Sequence, residues 1–184
     1  MITKTTTPAA ETNIISFEPL SLGQLLAVVD EIQAAMQRYR PEFSRLFGLQ
    51  RNAGTRVAEL FQPERWEIQN NRIVHVQPQK KNALRILNLA DIGFKDSDAF
   101  QAVIVDMQRL PKKQYERAFA KVVENEGLWR LYDNGYLHPS THLLRHVKIQ
   151  QLAAEGWTKE AIASWIGEKN PDNLDYYLNS RYYL

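Results

Sequence analysis

Between Trp66 and Leu89 the chain reads WEIQNNRIVHVQPQKKNALRILNL, with β-branched runs broken at Asn70-Asn71 and again over Pro78 to Asn82. β-Branched side chains suit a pleated, half-buried surface, and the breaks suit tight turns. A small antiparallel sheet is expected here, and it constrains everything else. The remainder of the chain carries helical periodicity, so the fold class implied is mostly α with a small antiparallel β-sheet, an α+β arrangement with the sheet inserted near the front.

From Ser21, SLGQLLAVVDEIQAAM places Leu22, Leu25, Leu26, Val29 and Ile32 at helical spacing behind a capping serine. A second helix is expected over Glu42 to Leu49, and a third starts after Gly54 in GTRVAELF and is closed by Pro63. Beyond the sheet the spacing predicts helices over 97–110, 112–132, 141–155, 158–166 and 172–178. Trp129 and Trp157 fall on apolar faces and read as core. The Thr-rich opening MITKTTTPAAET reads as disordered, so residues 1–19 are assigned to a linker and 20–184 to one domain.

Several function classes fall away on composition. The longest uncharged apolar stretch, LLAVV near Leu25, is far too short to span a bilayer, and no basic-then-apolar leader opens the chain, so no membrane or secretory role is expected. Cysteine is absent, which excludes disulfides and thiolate metal sites and agrees with a reducing cytosol. No His/Asp/Glu set has convincing metal-ligand spacing. A formal net charge of +2 means that a nucleic-acid partner would require positive charge gathered on one face. The basic strip LPKKQYERAFAK from Leu110 is either such a surface or a solvated helix face.

His142 and Arg145 are three apart at the start of an expected helix and share one face. Arginine suits phosphate because its planar fork donates two parallel hydrogen bonds and its charge does not titrate away. Alone, His-x-x-Arg is weak. It gains meaning from its order among other residues: Arg56 in GTRVAELFQPERWEI, Lys80 in the turn of VQPQKK, His142 and Arg145 in HLLRH, Glu168 directly after Gly167, and then Tyr177.

That order resembles the catalytic domain of the tyrosine recombinases, the phage-integrase family. GTRVAEL and WEI match a family motif that runs on to Asp-Ile, with Glu67 in place of the usual Asp, and HLLRH from His142 to His146 matches the second block at its fixed positions. The resemblance covers about Leu20 to Tyr177. It implies site-specific recombination of double-stranded DNA by a synaptic tetramer, in the cytoplasm at the nucleoid, with no cofactor. Tyr177 is implied as the nucleophile that forms a 3′-phosphotyrosyl link. Arg56 and Arg145 clamp the phosphate, Lys80 protonates the leaving 5′-oxygen, and His142 moves a proton to or from the tyrosine. Tyr176 competes with Tyr177, and Lys81 with Lys80. His146 reads as a buttress, and His75 and His138 as surface or strand residues.

The chain departs from the family pattern in two places. After the late glycine the family has His or Trp, whereas this chain has Glu168, for which Lys169 is the expected neutralising neighbour. The family's N-terminal DNA-clamping domain is also not matched, so a short member or a fragment is expected. The tail LNSRYYL packs on its own domain or docks on a neighbour. An alternative function is therefore a cleavage-impaired DNA-binding or regulatory factor on the same fold. Another reads TKEAIASWIGEKNPDNLDYYL as a helix-turn-helix, which leaves Arg56 and Lys80 without a role.

Overall fold

A computed structural model of the protein describes residues 20–78, 82–127 and 140–179. Helix α1 spans Leu22–Tyr39 and begins with the reciprocal cap its sequence suggests: Ser21 Oγ accepts from Gln24 N–H while the Gln24 side chain accepts from Ser21 N–H. Leu25, Val29, Ile32, Ala35 and Met36 form its buried stripe. Pro41–Phe43 makes a single 3-10 turn, so α2 covers Ser44–Ala53 and both starts and ends later than the sequence expectation. Its stop is Gly54, in the left-handed region at φ 63°. The short α3, Val57–Leu60, follows and is closed before Pro63.

Strands β1 (Trp66–Gln69), β2 (Ile73–Val76) and β3 (Arg85–Asn88) form an antiparallel sheet in that order, pairing Trp66 with Val76 and Val76 with Arg85. Asn70 and Asn71 take φ of 51° and 55°, and Arg72 N–H donates to the Gln69 carbonyl, which closes the first hairpin. Asparagine is among the few residues that tolerate this region without strain. Trp66, Val74, Val76 and Leu87 face the core, and Ile86 faces out. Lys80, with its competitor Lys81, lies outside the described residues.

Four longer helices complete the domain: α4 (Ser97–Arg109), α5 (Lys112–Asn125), α6 (His142–Ala154) and α7 (Lys159–Ile166). A 3-10 turn, Pro171–Leu174, leads directly into α8, Asp175–Asn179. Helix α5 ends at Asn125, before Gly127 at φ 67°, and so does not run unbroken to Tyr132 as the periodicity suggested. Trp129 and His138 lie outside the described residues. Trp157 is not core: it is 40% exposed and stands edge-on to Trp165, because it follows Gly156 in the turn between α6 and α7.

Most buried side chains form one cluster built on α1, α2, α4, α5, the sheet and the first half of α6. A second, smaller cluster joins the end of α6 to α7 and α8 through Ile149, Leu152, Ile162, Ile166, Leu174 and Tyr177. A polar network crosses the first cluster. Gln50 on α2 accepts from the buried Tyr115 hydroxyl (2.7 Å) and donates to the carbonyls of Thr55 and Thr141, locking α5 and the start of α6 to the α2 terminus.

The two clusters are joined at the C-terminal ends of α2 and α7, where carbonyls lack helical partners. Two buried guanidiniums supply them. Arg85 donates from Nη2 to the Ala53 carbonyl and from Nε to the Trp165 carbonyl (2.7 Å), and its Nη1 bonds Thr55 Oγ1 (2.7 Å). Arg145 Nη1 donates to the carbonyls of Gly54 (2.9 Å) and Ile166 (3.1 Å). Positive charge is favoured at these helix ends because the backbone dipoles leave them partly negative. Gly167, at φ 74°, terminates α7 where a Cβ would lie 2.7 Å from Arg85 Cδ, so a side chain there would collide with the strap itself.

Burial depresses the Arg85 pKa to about 10, with Glu59 acting in the opposite direction; Glu59 Oε2 lies 3.5 Å from Arg85 Nη1, and both side chains are almost fully buried. Arg85→Leu would leave the Glu59 carboxylate and several carbonyls without this partner. Urea denaturation should register a loss of about 3–5 kcal/mol, part of which Glu59→Gln in the same chain restores. A loss below about 1 kcal/mol would show that the strap is not structural.

Candidate functional site

The geometry of α6 follows from its sequence: HLLRHVKIQQLAA alternates apolar and polar residues so that Leu143, Leu144 and Val147 enter the core while His142, Arg145 and His146 crowd toward α8. Tyr177 on α8 closes the arrangement. Its hydroxyl is 3.2 Å from His142 Nε2, its ring centroid is 6.0 Å from Arg145 Cζ, and the rings of His142 and His146 lie 5.6 and 5.7 Å from its own. The Tyr177 carbonyl also accepts from Gln150 Nε2, which contacts His146 Nε2. Five groups from α6 and α8 thus share one corner of the domain.

Arg56 reaches this corner from the opposite side, at the N-terminus of α3, where Glu59 Oε2 accepts from its backbone N–H. Its Nη2 donates to Glu168 Oε2 at 3.1 Å, and Glu59 Oε1 lies 4.0 Å from its Nη1. Arg56 Nη1 and Arg145 Nε and Nη2 are buried and make no hydrogen bond of good geometry with the described residues, although the Tyr177 phenol lies close beside Arg145. Unpaired buried N–H groups are costly. Three of them on two neighbouring guanidiniums make a surface that an anion with several acceptor oxygens would satisfy.

The electrostatics follow from this crowding. Burial lowers the pKa of Arg145, and Arg56 lowers it further, while Tyr177 and Glu59 oppose the change. Burial also lowers His142, assisted by Arg145 and Arg56. For His146, burial and then His142 bring the value down to about 4. Both imidazoles are accordingly neutral at pH 7. A neutral His142 can accept the Tyr177 proton at Nε2.

The sequence-predicted residues Arg56, His142, Arg145, Glu168 and Tyr177 are brought together. Tyr176 is 58% exposed and stands edge-on to Tyr177, which is 8% exposed and in contact with both imidazoles. Lys169 is not the partner of Glu168: the carboxylate turns to Arg56 and, through Oε1, accepts from Asn173 Nδ2 at 3.1 Å. A backbone bond from Glu168 N–H to the Ala163 carbonyl fixes the residue just past the α7 terminus and sets this direction. Glu67 lies exposed on β1, while the acid that faces both Arg56 and Arg85 is Glu59. Sequence reasoning passed over Glu59, Arg85, Gln50 and Asn173. Arg85 had a signal, since strand alternation puts it on the same face as buried Leu87. Nothing in the spacing pointed to Asn173.

Comparison with solved structures agrees on architecture. The chain superposes on a lambda integrase dimer bound to a COC′ core site with a TM-score of 0.62 at 15% identity, covering 88% of this chain and 47% of that one. XerA recombinase gives a TM-score of 0.58 at 15% identity over 94% of this chain and 62% of that one. A lambda integrase tetramer bound to a Holliday junction gives 0.56 at 16%, over 89% and 48%. The protein therefore has the fold of the tyrosine recombinase catalytic domains. It spans about half to three fifths of the length of these chains. No family model and no curated protein matches the sequence.

A group whose folded pKa lies below its unfolded one takes up a proton on unfolding. The stability it contributes is full above the unfolded value near 6.5 and is lost as pH falls through the folded value. Stability should decline as pH falls from about 6.5 toward 4, by on the order of 3 kcal/mol for His146. Above about pH 5, where most carboxylates remain ionised, His146→Gln should lose the larger share of that slope in denaturant titrations. An unchanged slope would place the titration elsewhere.

Proposed function

We propose that this chain cuts and rejoins double-stranded DNA through a 3′-phosphotyrosyl intermediate, with residues from Leu20 onward as the catalytic unit. The observation that carries the reading is the Tyr177 hydroxyl held 3.2 Å from a neutral His142 imidazole, beside two guanidiniums of which Arg56 Nη1 and Arg145 Nε and Nη2 are buried with no hydrogen bond of good geometry among the described residues. Nucleophile, proton acceptor and charge-neutralising donors are what phosphodiester exchange requires without an external energy source.

In the cutting step Tyr177 Oη attacks phosphorus and its proton passes to His142 Nε2. The bond from phosphorus to the 5′-oxygen breaks, and that oxygen takes a proton, a role proposed for Lys80 with Lys81 as its competitor. Arg56 Nη1 and Arg145 Nε and Nη2 donate to the non-bridging oxygens as charge builds on them. Attack by another 5′-hydroxyl on the phosphotyrosine reverses each bond change and releases Tyr177. The phosphoester energy is kept, and the scheme calls for no cofactor. Assembly of four copies on paired sites is proposed from the likeness to an integrase tetramer on a Holliday junction. A location with the DNA, at the nucleoid, belongs to the same proposal; no helix among the described residues is long and apolar enough to cross a membrane.

One observation favours a second reading, a DNA-binding factor impaired in cleavage: Arg56 is already paired with Glu168. A helix-turn-helix reading of α7 and α8 has less support, because the end of α7 and Glu168 just past it are bonded to Arg56, Arg85 and Arg145 upstream.

Incubation with nicked duplexes from the DNA flanking its own gene, followed by a denaturing gel, should show a covalent protein–DNA adduct. Tyr177→Phe should abolish it and Tyr176→Phe should retain it, while Arg145→Ala should slow it by about 10²–10³-fold. Binding without an adduct, restored by Glu168→His, would establish the second reading. An adduct that survives in Tyr177→Phe would remove the nucleophile assignment.

A further inference from the structure

Glu168 takes no part in the bond changes proposed above. A phosphate clamp works best when arginine offers two parallel N–H groups to two oxygens. In this protein one arm of Arg56 is already engaged: Nη2 donates to Glu168 Oε2, while Nη1 is buried without a hydrogen bond among the described residues. Glu168 is 13% exposed and Arg56 28%, so water screens the pair less than it would a surface ion pair. A phosphodiester and a carboxylate are both anions, and their repulsion prevents them from sharing that arm favourably. Glu168 also touches a second element. Its Oε1 accepts from Asn173, which sits in the Pro171–Leu174 turn continuous with the helix that carries Tyr177.

We propose that Glu168 is a built-in counter-anion that holds one arm of Arg56 until a phosphodiester displaces it, and that Asn173 couples this exchange to the Tyr177 segment. The backbone of Glu168 is fixed by its bond to the Ala163 carbonyl, so the exchange is a side-chain rotation. That rotation breaks the contacts to Arg56 and Asn173 together, which ties phosphate arrival to release of the turn before α8. α8 itself stays attached through the Lys159–Asp175 ion pair, the Gln150 bond to the Tyr177 carbonyl and the packing of Leu174 and Tyr177 on α6 and α7, so the motion released is that of the turn before it. Glu168 is then the residue that sets how tightly the site holds phosphate and when the tyrosine is free to advance. The inference rests on the reading of Arg56 and Arg145 as a phosphate clamp.

Sulfate serves as a probe because it offers tetrahedral anionic oxygens without requiring the target sequence. On the full chain at constant ionic strength, Glu168→Gln should bind sulfate about tenfold more tightly than the parent, and Asn173→Ala about twofold. Amide exchange over 171–179 should quicken with sulfate in the parent and be quick already in Asn173→Ala. Glu168→Gln affinity equal to or below the parent's would overturn the counter-anion and make Glu168 a prop that orients Arg56. Exchange in Asn173→Ala identical to the parent's would overturn the coupling. The same preparations applied to nicked duplexes separate the two levels. Tighter sulfate binding with no adduct in any variant sinks the recombination reading alone, whereas an adduct with unchanged sulfate affinity sinks this inference alone.

Discussion

Two helices that end in the protein interior must find donors for their last carbonyls, and in this fold buried arginines provide them. Arg85 and Arg145 bond carbonyls at the ends of both α2 and α7, which fastens the helix before Arg56 to the helix before Glu168. Placing a guanidinium in a dry interior is expensive unless its N–H groups are matched. Arg85 uses all three of its nitrogens, with Glu59 close by as counter-charge. Arg145 gives only Nη1 to carbonyls, and its Nε and Nη2, beside the Tyr177 phenol and without a hydrogen bond of good geometry among the described residues, are where structure gives way to chemistry. One side chain is both a strap and a half-filled anion site.

The gross architecture was legible because it rests on local rules. The α1 cap, the Asn-Asn turn and the β-branched strands are each written in a few neighbouring residues, and the structure follows them. Errors arose where tertiary context decides. Apolar periodicity alone made Trp157 core, but it follows Gly156 in a turn and stays half exposed. Periodicity also ran α5 past its end, since it does not register that Gly127 turns left-handed.

The site divides along the same line. His142, Arg145 and Tyr177 could be named from their order, and they meet, because one helix start and one short helix place them. The direction of the Glu168 carboxylate could not be read. Lys169 is its neighbour in sequence, yet a residue just past a left-handed helix stop points where the backbone sends it, toward Arg56 and Asn173. Glu59 was hidden for a similar reason: inside the motif that names Arg56, its role depends on Arg85, which lies two strands further along the chain. Pair interactions of this kind are a property of packing rather than of spacing.

The account stands on one claim, that these residues converge on a single phosphate with Tyr177 as the attacking group. The most direct test is chemical: digest a protein–DNA adduct, sequence the DNA-bearing peptide by mass spectrometry, and determine the ends of the cut strand. The account predicts a DNA 3′-phosphate esterified to the Tyr177 oxygen and a free 5′-hydroxyl on the released end. Attachment at Tyr176 or at any other side chain, or a released end bearing a 5′-phosphate, would contradict it.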